Sequence, residues 1–203
     1  MSTQDTNRLF PVFLKLEEMQ VLIVGGGYVA LEKLSAILAN APGTTVHLVA
    51  PQISEELRAL ATNYPKTILT ERVFLPADLD NADIVLIAVN DRSESSRIRL
   101  IAKEKGKLVN VADQPALCDF YLGSIVQKGN LKLAISTNGK SPTIAKRLRA
   151  LLNEWLPDEL DSVLEQMHRI RHSLQGDFAG KVRQLNRITH LFASKGEREK
   201  KST

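Results

Sequence analysis

The sequence contains one cysteine, Cys118, in 203 residues. A single thiol excludes an internal disulfide and any metal site built from a cysteine cluster. No apolar run approaches the ~20 residues that a helix needs to cross a bilayer. The polar residues 1–7 lack the apolar core of a secretory signal. These absences predict a cytoplasmic protein with no membrane partner.

Local groupings of a nucleophile with a base are also missing. The four histidines are scattered, and neither a Ser-His-Asp nor a Cys-His arrangement has local support. His168 and His172 stand at i and i+4 on one predicted helix, a spacing that suits two metal ligands. With no third ligand nearby, we favour a pair that faces solvent or an anion, and we expect no protein-bound metal. Cys118 is interpreted as a small buried residue rather than a nucleophile.

Most of the excess positive charge lies in the middle of the chain. The net charge is +4, and residues 116–150 carry six basic side chains against one acidic side chain, Asp119. Such a cluster indicates either an anionic partner or a solvated helix face. Aromatic residues do not interleave the basic ones, as binding of single-stranded nucleic acid would favour. We therefore expect no nucleic-acid partner.

A glycine-rich turn organises the first half of the chain. The branched apolar residues 21–24 predict a parallel strand covered on both faces, and residues 31–38 resume at helical spacing. In a G-x-G-x-x-A pattern, Gly25 makes the tight turn, Gly27 lies under a pyrophosphate and Ala30 lets the helix pack closely. The N-terminal amides of the helix then face the anion. The pattern predicts a dinucleotide site, and an ordinary strand-to-helix turn is the alternative.

Alternating strand and helix patterns follow and predict a Rossmann-type α/β fold with a parallel sheet. Predicted strands cover 45–51, 67–74, 82–89 and 108–112, and residues 10–16 form a short strand or an extended arm.

The second strand lacks the acidic residue that usually holds the ribose hydroxyls, since Ala50 and Pro51 stand there. No arginine directly follows, and Arg58 lies a helical turn further on. We therefore expect backbone around Val49 and Ala50 to hold the ribose, and NAD rather than NADP as the cofactor.

Polar residues follow two of the predicted strands at the edge where ligands of open α/β sheets bind. Asn90 and Asp91 come after one strand and are candidates for cofactor contacts or for a strand-end cap. Asp113 comes after the last strand, in a loop with a nearby proline. We expect this aspartate to be buried there, an environment that suits general acid/base work. An aspartate that makes a local turn is the alternative.

The remaining segments carry apolar patterns of a different kind. Runs 119–126 and 130–136 predict a hairpin or a strand crossover between protomers. Ser141 and Pro142 predict a helix start, and Pro157 ends that helix. Amphipathic segments 158–174 and 178–192 follow, before a charged tail, 193–203, that we expect to be disordered.

Taken together, these motifs resemble the siroheme synthase N-terminal domain family. Its members are precorrin-2 dehydrogenases, some of which are also sirohydrochlorin ferrochelatases. The matching segments cover roughly residues 8 to 150 in order: 24–33, 49–51, 88–91, 110–113 and 135–142. Gly123 and Asn138 depart from the family pattern, in which proline and a second glycine are common.

The resemblance implies NAD-dependent dehydrogenation of precorrin-2 to sirohydrochlorin in siroheme biosynthesis, with Asp113 as the catalytic residue. Ferrochelation of sirohydrochlorin, with Fe2+ as substrate, is an activity that some members add. The expected cofactor contacts are Gly25, Gly27, Tyr28, Val29, Val49, Ala50 and Asn90. Ser136, Lys140 and Lys146 are the expected tetrapyrrole contacts, since basic side chains suit the carboxylate arms of these substrates.

The resemblance also implies a domain organisation. Residues 1–115 would form the NAD-binding Rossmann domain, and 116–150 a dimerisation segment of a homodimer. Residues 151–203 would form a small helical domain with the charged tail. The methyltransferase domain of the fused enzymes is not expected in 203 residues. A non-catalytic, NAD-sensing dimeric regulatory module is the alternative function.

Overall fold

A computed structural model describes residues 6–173, 180, 182 and 183 of the chain. Two compact units are present, Met1–Leu122 and Gly123–Thr203. None of the described helices is both long and apolar enough to span a bilayer.

The first unit is built on a five-stranded parallel sheet with the strand order β3-β2-β1-β4-β5. Its strands are β1 (Gln20–Val24), β2 (Thr45–Ala50), β3 (Thr67–Glu71), β4 (Ile84–Ile87) and β5 (Leu108–Val111). The chain reverses direction across the sheet between β3 and β4, so β1 and β4 are neighbours at its centre. This arrangement confirms the predicted Rossmann-type α/β fold.

Three helices cover the two faces of the sheet: α1 (Tyr28–Asn40), α2 (Glu55–Thr62) and α3 (Arg92–Glu104). Alternate residues of a strand point to opposite faces, so Val21 and Ile23 join one buried cluster while Leu22 and Val24 join the other. The apolar run 21–24 within β1 is consistent with this double coverage. The Ser54 hydroxyl accepts a hydrogen bond from the Leu57 N–H at 3.4 Å and caps α2, as its sequence predicts.

The third strand is shorter than predicted and ends at Glu71 instead of residue 74. The guanidinium of Arg72 turns to the carboxylate of Asp78, with one of its two hydrogen bonds at 2.8 Å. Asp78 also accepts the Leu75 N–H at 2.8 Å, and a short 3-10 helix, Pro76–Leu79, follows. This ion pair, in which only Asp78 is buried, therefore ends the strand and begins the next connection.

The segment before β1 is an exposed arm rather than a strand. Residues 6–15 form neither helix nor strand and are exposed, with Phe10 at 87% and Phe13 at 70% of their full accessibility. A 3-10 helix, Leu16–Glu18, then leads into β1.

The second unit begins with an antiparallel hairpin of β6 (Ser124–Lys128) and β7 (Leu131–Ile135). Gly129 has a φ of +53° in the two-residue turn, a conformation that glycine adopts readily. The two apolar runs thus pair with each other, which is the hairpin alternative of the sequence prediction. Packed on this hairpin is α4 (Pro142–Trp155).

The start and the end of α4 follow the sequence prediction. The Ser141 hydroxyl accepts the Ile144 N–H at 3.2 Å, and Pro142 is the first helical residue. The helix ends before Pro157, and α5 (Leu160–Ser173) follows. The predicted segment 178–192 and the tail lie outside the described residues, except for 180, 182 and 183, which are helical.

Candidate functional site

The glycine loop after β1 is held tightly between the ends of two neighbouring strands. The Gly25 N–H donates to the Val49 carbonyl at 3.0 Å, and the residue has a φ of +131°. A Cβ atom at Gly25 would lie 2.2 Å from the Ala88 carbonyl oxygen. Gly26 is equally confined, because a Cβ there would lie 1.9 Å from the Gln52 carbonyl oxygen. Both positions therefore require glycine for the fold itself.

Gly27 differs from its two neighbours because the described protein does not confine it. A Cβ atom there would meet no described atom within 4 Å. Gly27 is also the N-cap of α1, with extended backbone and no side chain to accept the amides of the first turn. Those amides have no acceptor within the helix, and the helix dipole makes this end positive. The open space and the uncapped amides fit the pyrophosphate of a dinucleotide.

The first turn of α1 faces both solvent and the core. Tyr28 is exposed, and its hydroxyl donates to the Glu32 carboxylate at 3.2 Å. Val29 is half-buried against the core, whereas Ala30 is completely buried. The small Ala30 side chain lets α1 lie close to the sheet, the role that the sequence pattern assigns to it.

The end of β2 offers backbone rather than side chains to a ligand. Val49 and Ala50 are both buried, and the Val49 carbonyl already accepts the Gly25 N–H. Arg58 is occupied as well, since its guanidinium donates to the Glu71 carboxylate at 2.7 Å. This contact holds the pKa of Glu71 below its ordinary value, together with the Ile53 N–H.

The Arg58–Glu71 pair is a feature that the sequence analysis missed. Glu71 is the last residue of β3, and in the parallel register it lies opposite Ala50 at the end of β2. The acidic residue that is absent from the end of β2 thus has a counterpart, Glu71, at the end of the adjacent strand. Only the strand pairing reveals that Glu71 lies beside Ala50, because 21 positions separate these two residues in the sequence.

Of the two polar residues after β4, one is a helix cap. The Asp91 carboxylate accepts the Ser93 hydroxyl and the Ser93 N–H, both at 2.7 Å, and the Glu94 N–H at 3.2 Å. These hydrogen bonds, that of the Ser93 hydroxyl first, lower the pKa of Asp91. Asp91 therefore caps α3, while the neighbouring Asn90 is exposed at the edge of the sheet.

Asp113 lies two residues past β5 in a tight turn. The Gln114 N–H donates to the Val111 carbonyl at 3.4 Å, and Asp113 has a φ of +57°. The expected burial is wrong: Asp113 is exposed, because the turn carries it beyond the buried end of β5. A positive φ is uncommon for a residue with a side chain, although Asp and Asn adopt it more readily than others. Because uncommon backbone conformations cluster at functional sites, Asp113 stays a candidate.

The chain after this turn is fastened to β5. The Cys118 thiol donates to the Val111 carbonyl at 3.1 Å and accepts the Val111 N–H at 3.2 Å. The buried Asn110 amide donates to the Phe120 carbonyl at 2.8 Å. Asp119 accepts the Val109 N–H at 2.9 Å. Cys118 is thus a structural, half-buried residue, and these bonds fix the ends of the turn that carries Asp113.

The three predicted tetrapyrrole contacts all belong to the second unit. The Ser136 hydroxyl accepts the Asn138 N–H at 3.2 Å, and the Lys140 N–H donates to the Thr137 carbonyl at 3.0 Å. Asn138 has a φ of +54°, so asparagine stands where the resemblance expects a glycine and adopts a conformation that it tolerates. Lys146 is exposed on α4.

The histidines do not form a metal centre in the described part of the chain. His168 and His172 are exposed on α5 with their ring centroids 4.4 Å apart. No group of three His, Cys, Asp or Glu residues that could hold a metal occurs among the described residues. His47 lies in β2 and shares a 2.8 Å hydrogen bond with the Thr70 hydroxyl, and His190 lies outside the described residues.

Known proteins resemble this chain over most of its length. Siroheme synthase of Pseudomonas fluorescens is 35% identical over 166 residues, which cover 82% of this chain and 35% of that protein. Siroheme synthase of Nitrosomonas europaea is 34% identical over 178 residues, covering 87% of this chain and 36% of that protein. The chain thus spans about a third of the length of these curated relatives.

A solved structure is also similar to this chain. That of SirC, precorrin-2 dehydrogenase, superimposes with a TM-score of 0.68 and 26% sequence identity, and the match covers 89% of each chain. Two family models also match: “Putative NAD(P)-binding” over residues 12–124 and “Sirohaem biosynthesis protein central” over residues 128–154. The resemblance inferred from the motifs is confirmed. Because the first model matches more than half of the chain, the chain belongs to the NAD(P)-binding family that this model describes.

Proposed function

We propose that this chain oxidises precorrin-2 to sirohydrochlorin with NAD as the hydride acceptor, in siroheme biosynthesis. One observation carries the proposal: the open glycine loop after β1 and the Asp113 carboxylate after β5 share one edge of the sheet, two strands apart. With ~4.8 Å between neighbouring strands, the ends of β1 and β5 are about 10 Å apart. The siroheme synthase relatives and the match to SirC support the same reaction.

The residues of the first unit would hold the cofactor as follows. Gly27 leaves room for the pyrophosphate, and the amides of Tyr28 and Val29 donate to it. Gly25 shapes the loop, Val49 and Ala50 offer backbone to the adenosine ribose, and Asn90 lies along the route toward β5. When bound, NAD supplies the hydride acceptor, and binding in an oriented position is what the protein contributes.

Asp113 would handle the proton of the reaction. Removing two hydrogens from precorrin-2 sends a hydride to the cofactor and leaves one proton to be taken up. Because the Asp113 carboxylate is exposed at the ligand edge, it can accept that proton and pass it to solvent. The positive φ fixes the direction in which this side chain leaves the backbone.

The second unit would bind the acidic arms of the tetrapyrrole. Ser136, Lys140 and Lys146 are the proposed contacts, and ammonium groups form strong charge-assisted hydrogen bonds with carboxylates. Exposed basic residues of α4, Arg147 and Arg149, extend this positive surface. Ferrochelation, with Fe2+ as substrate, is a further activity that we propose for the same tetrapyrrole site.

An exposed apolar face of α4 supports a homodimer. Ile144, Leu148, Leu151 and Trp155 recur at helical spacing and keep 47%, 40%, 61% and 75% of their accessibility. Large exposed apolar patches mark interaction sites, and a second copy of the same face is a natural cover under two-fold symmetry. We assign cofactor binding to residues 1–115, dimerisation to 116–150 and a helical domain to 151–203, in a cytoplasmic protein.

The direct test is turnover by the full chain. Purified protein, precorrin-2 and NAD are mixed, and NADH absorbance and the sirohydrochlorin spectrum are followed together. We expect both to rise with equal stoichiometry. Tight NAD binding without NADH formation would instead identify the NAD-sensing regulatory module, and no NAD binding would refute the proposal altogether.

A further inference from the structure

Arg58 lies one helical turn beyond the expected adenosine site, and its guanidinium already forms an ion pair with Glu71. Arg58 is the only basic residue among positions 51–58. It belongs to α2, whose N-cap Ser54 donates its N–H to the Gly26 carbonyl at 2.9 Å. The start of α2 is thus attached directly to the glycine loop. A basic side chain in this region is what accommodates the 2′-phosphate of NADP in dinucleotide-binding folds.

Glu71 is the residue that engages Arg58. The two side chains form a 2.7 Å ion pair, whereas the second carboxylate near Arg58, that of Glu55, is 3.9 Å away and 93% exposed. Glu71 is itself anchored, because its other carboxylate oxygen accepts the Ile53 N–H at 3.2 Å. Its register position opposite Ala50 brings negative charge to the same end of the sheet.

We propose that Glu71 determines the preference for NAD over NADP by holding the Arg58 guanidinium in an ion pair. This inference rests on the proposed cofactor site. While Glu71 accepts an N–H group of Arg58 at 2.7 Å, the guanidinium is held toward Glu71 and away from a 2′-phosphate.

The discriminating variant is Glu71→Gln. Glutamine keeps a carbonyl oxygen for the Ile53 N–H but cannot form an ion pair with Arg58. Glu55→Gln is the matched control, since it removes the same charge from the same neighbourhood without releasing Arg58. Arg58→Ala, and Arg58→Ala combined with Glu71→Gln, show whether any gain passes through the arginine.

Dissociation constants for NAD and NADP are measured by calorimetry on the full chain, with circular dichroism to confirm folding. We expect Glu71→Gln to lower the NADP/NAD ratio of dissociation constants at least tenfold, Glu55→Gln to change it less than twofold, and the double variant to restore the wild-type ratio. A change of less than threefold in Glu71→Gln, or a gain that persists in the double variant, would overturn the proposal.

Two further results distinguish a failure of the proposed Glu71 role from a failure of the proposed function. If Glu71→Gln does not fold, Glu71→Ala serves as the second variant under the same criteria. Wild-type protein that binds neither nucleotide would refute the proposed function itself. Wild-type protein that binds NAD, with an unchanged ratio in the Glu71 variants, would refute only the role of Glu71.

Discussion

Asp113 occupies a turn position that usually favours glycine or asparagine. In a four-residue turn with a positive φ at the third residue, a side chain costs about 1 kcal/mol or more unless it is Asn or Asp. The aspartate at this position therefore does two things. It tolerates the positive φ, and it places a carboxylate at the proposed ligand-binding edge. Asn keeps the first and loses the second, which makes Asp113→Asn a cleaner test than Asp113→Ala.

The glycines of the loop give opposite expectations for substitution. We predict that Gly27→Asp folds normally and weakens NAD binding more than tenfold, because the new carboxylate fills the open space and repels the pyrophosphate. Gly25→Ala should destabilise the protein, since its Cβ would lie 2.2 Å from the Ala88 oxygen in a left-handed region. Calorimetry and urea unfolding of both variants measure these effects. Unchanged NAD affinity in Gly27→Asp would remove the glycine loop from the account.

At the scale of elements, the ion pair between Arg72 and the buried Asp78 connects β3 to the 3-10 helix that follows. The hydrogen bonds from Arg72 hold the pKa of Asp78 below its ordinary value, against the opposing effect of burial. A carboxylate with a lowered pKa stabilises the folded state above the unfolded pKa of about 4. That contribution is lost as the pH falls through the still lower folded pKa.

We predict that Asp78→Asn lowers the free energy of unfolding by about 1–3 kcal/mol at neutral pH, the usual value of a hydrogen-bonded buried charge. The wild-type protein should lose this advantage as the pH falls below about 4, so the difference between the two proteins narrows in acid. Urea unfolding at several pH values measures it. A difference that stays constant or widens toward low pH would contradict this assignment.

Most elements follow directly from local patterns. The apolar strand at 21–24, the Ser54 cap and the Ser141–Pro142 helix start are all present as the sequence predicts. The early end of β3 was not predictable, because it depends on the side-chain pairing of Arg72 with Asp78.

The candidate site was predictable in part. Spacing identified the glycine loop, and strand ends identified Asp113 as a candidate. Its exposure depends on the turn that follows β5, which apolar patterns do not reveal. The Arg58–Glu71 pair requires the register of two parallel strands, and no local pattern contains that information.

At the scale of the whole molecule, the exposed face of α4 predicts self-association. We expect the wild-type chain to sediment as a dimer at micromolar concentration, and Leu151→Lys with Trp155→Lys to shift it toward monomer, because charges would replace the most exposed apolar contacts. Arg149→Glu is a control that alters charge on the same helix. A wild-type monomer in sedimentation velocity would contradict the proposed homodimer.

The central claim is that the Asp113 carboxylate takes up the proton of the reaction while NAD, held by the glycine loop, accepts the hydride. The most direct measurement is the rate of NADH formation from precorrin-2 in wild-type protein, Asp113→Asn and, as a control, Asp91→Asn, whose asparagine can still cap α3. We predict a fall of roughly 10²–10⁴-fold for Asp113→Asn, the usual effect of a positioned proton-transfer group, with NAD affinity and folding unchanged. Asp91→Asn should retain the wild-type rate. Near wild-type turnover by a folded Asp113→Asn variant would contradict the account.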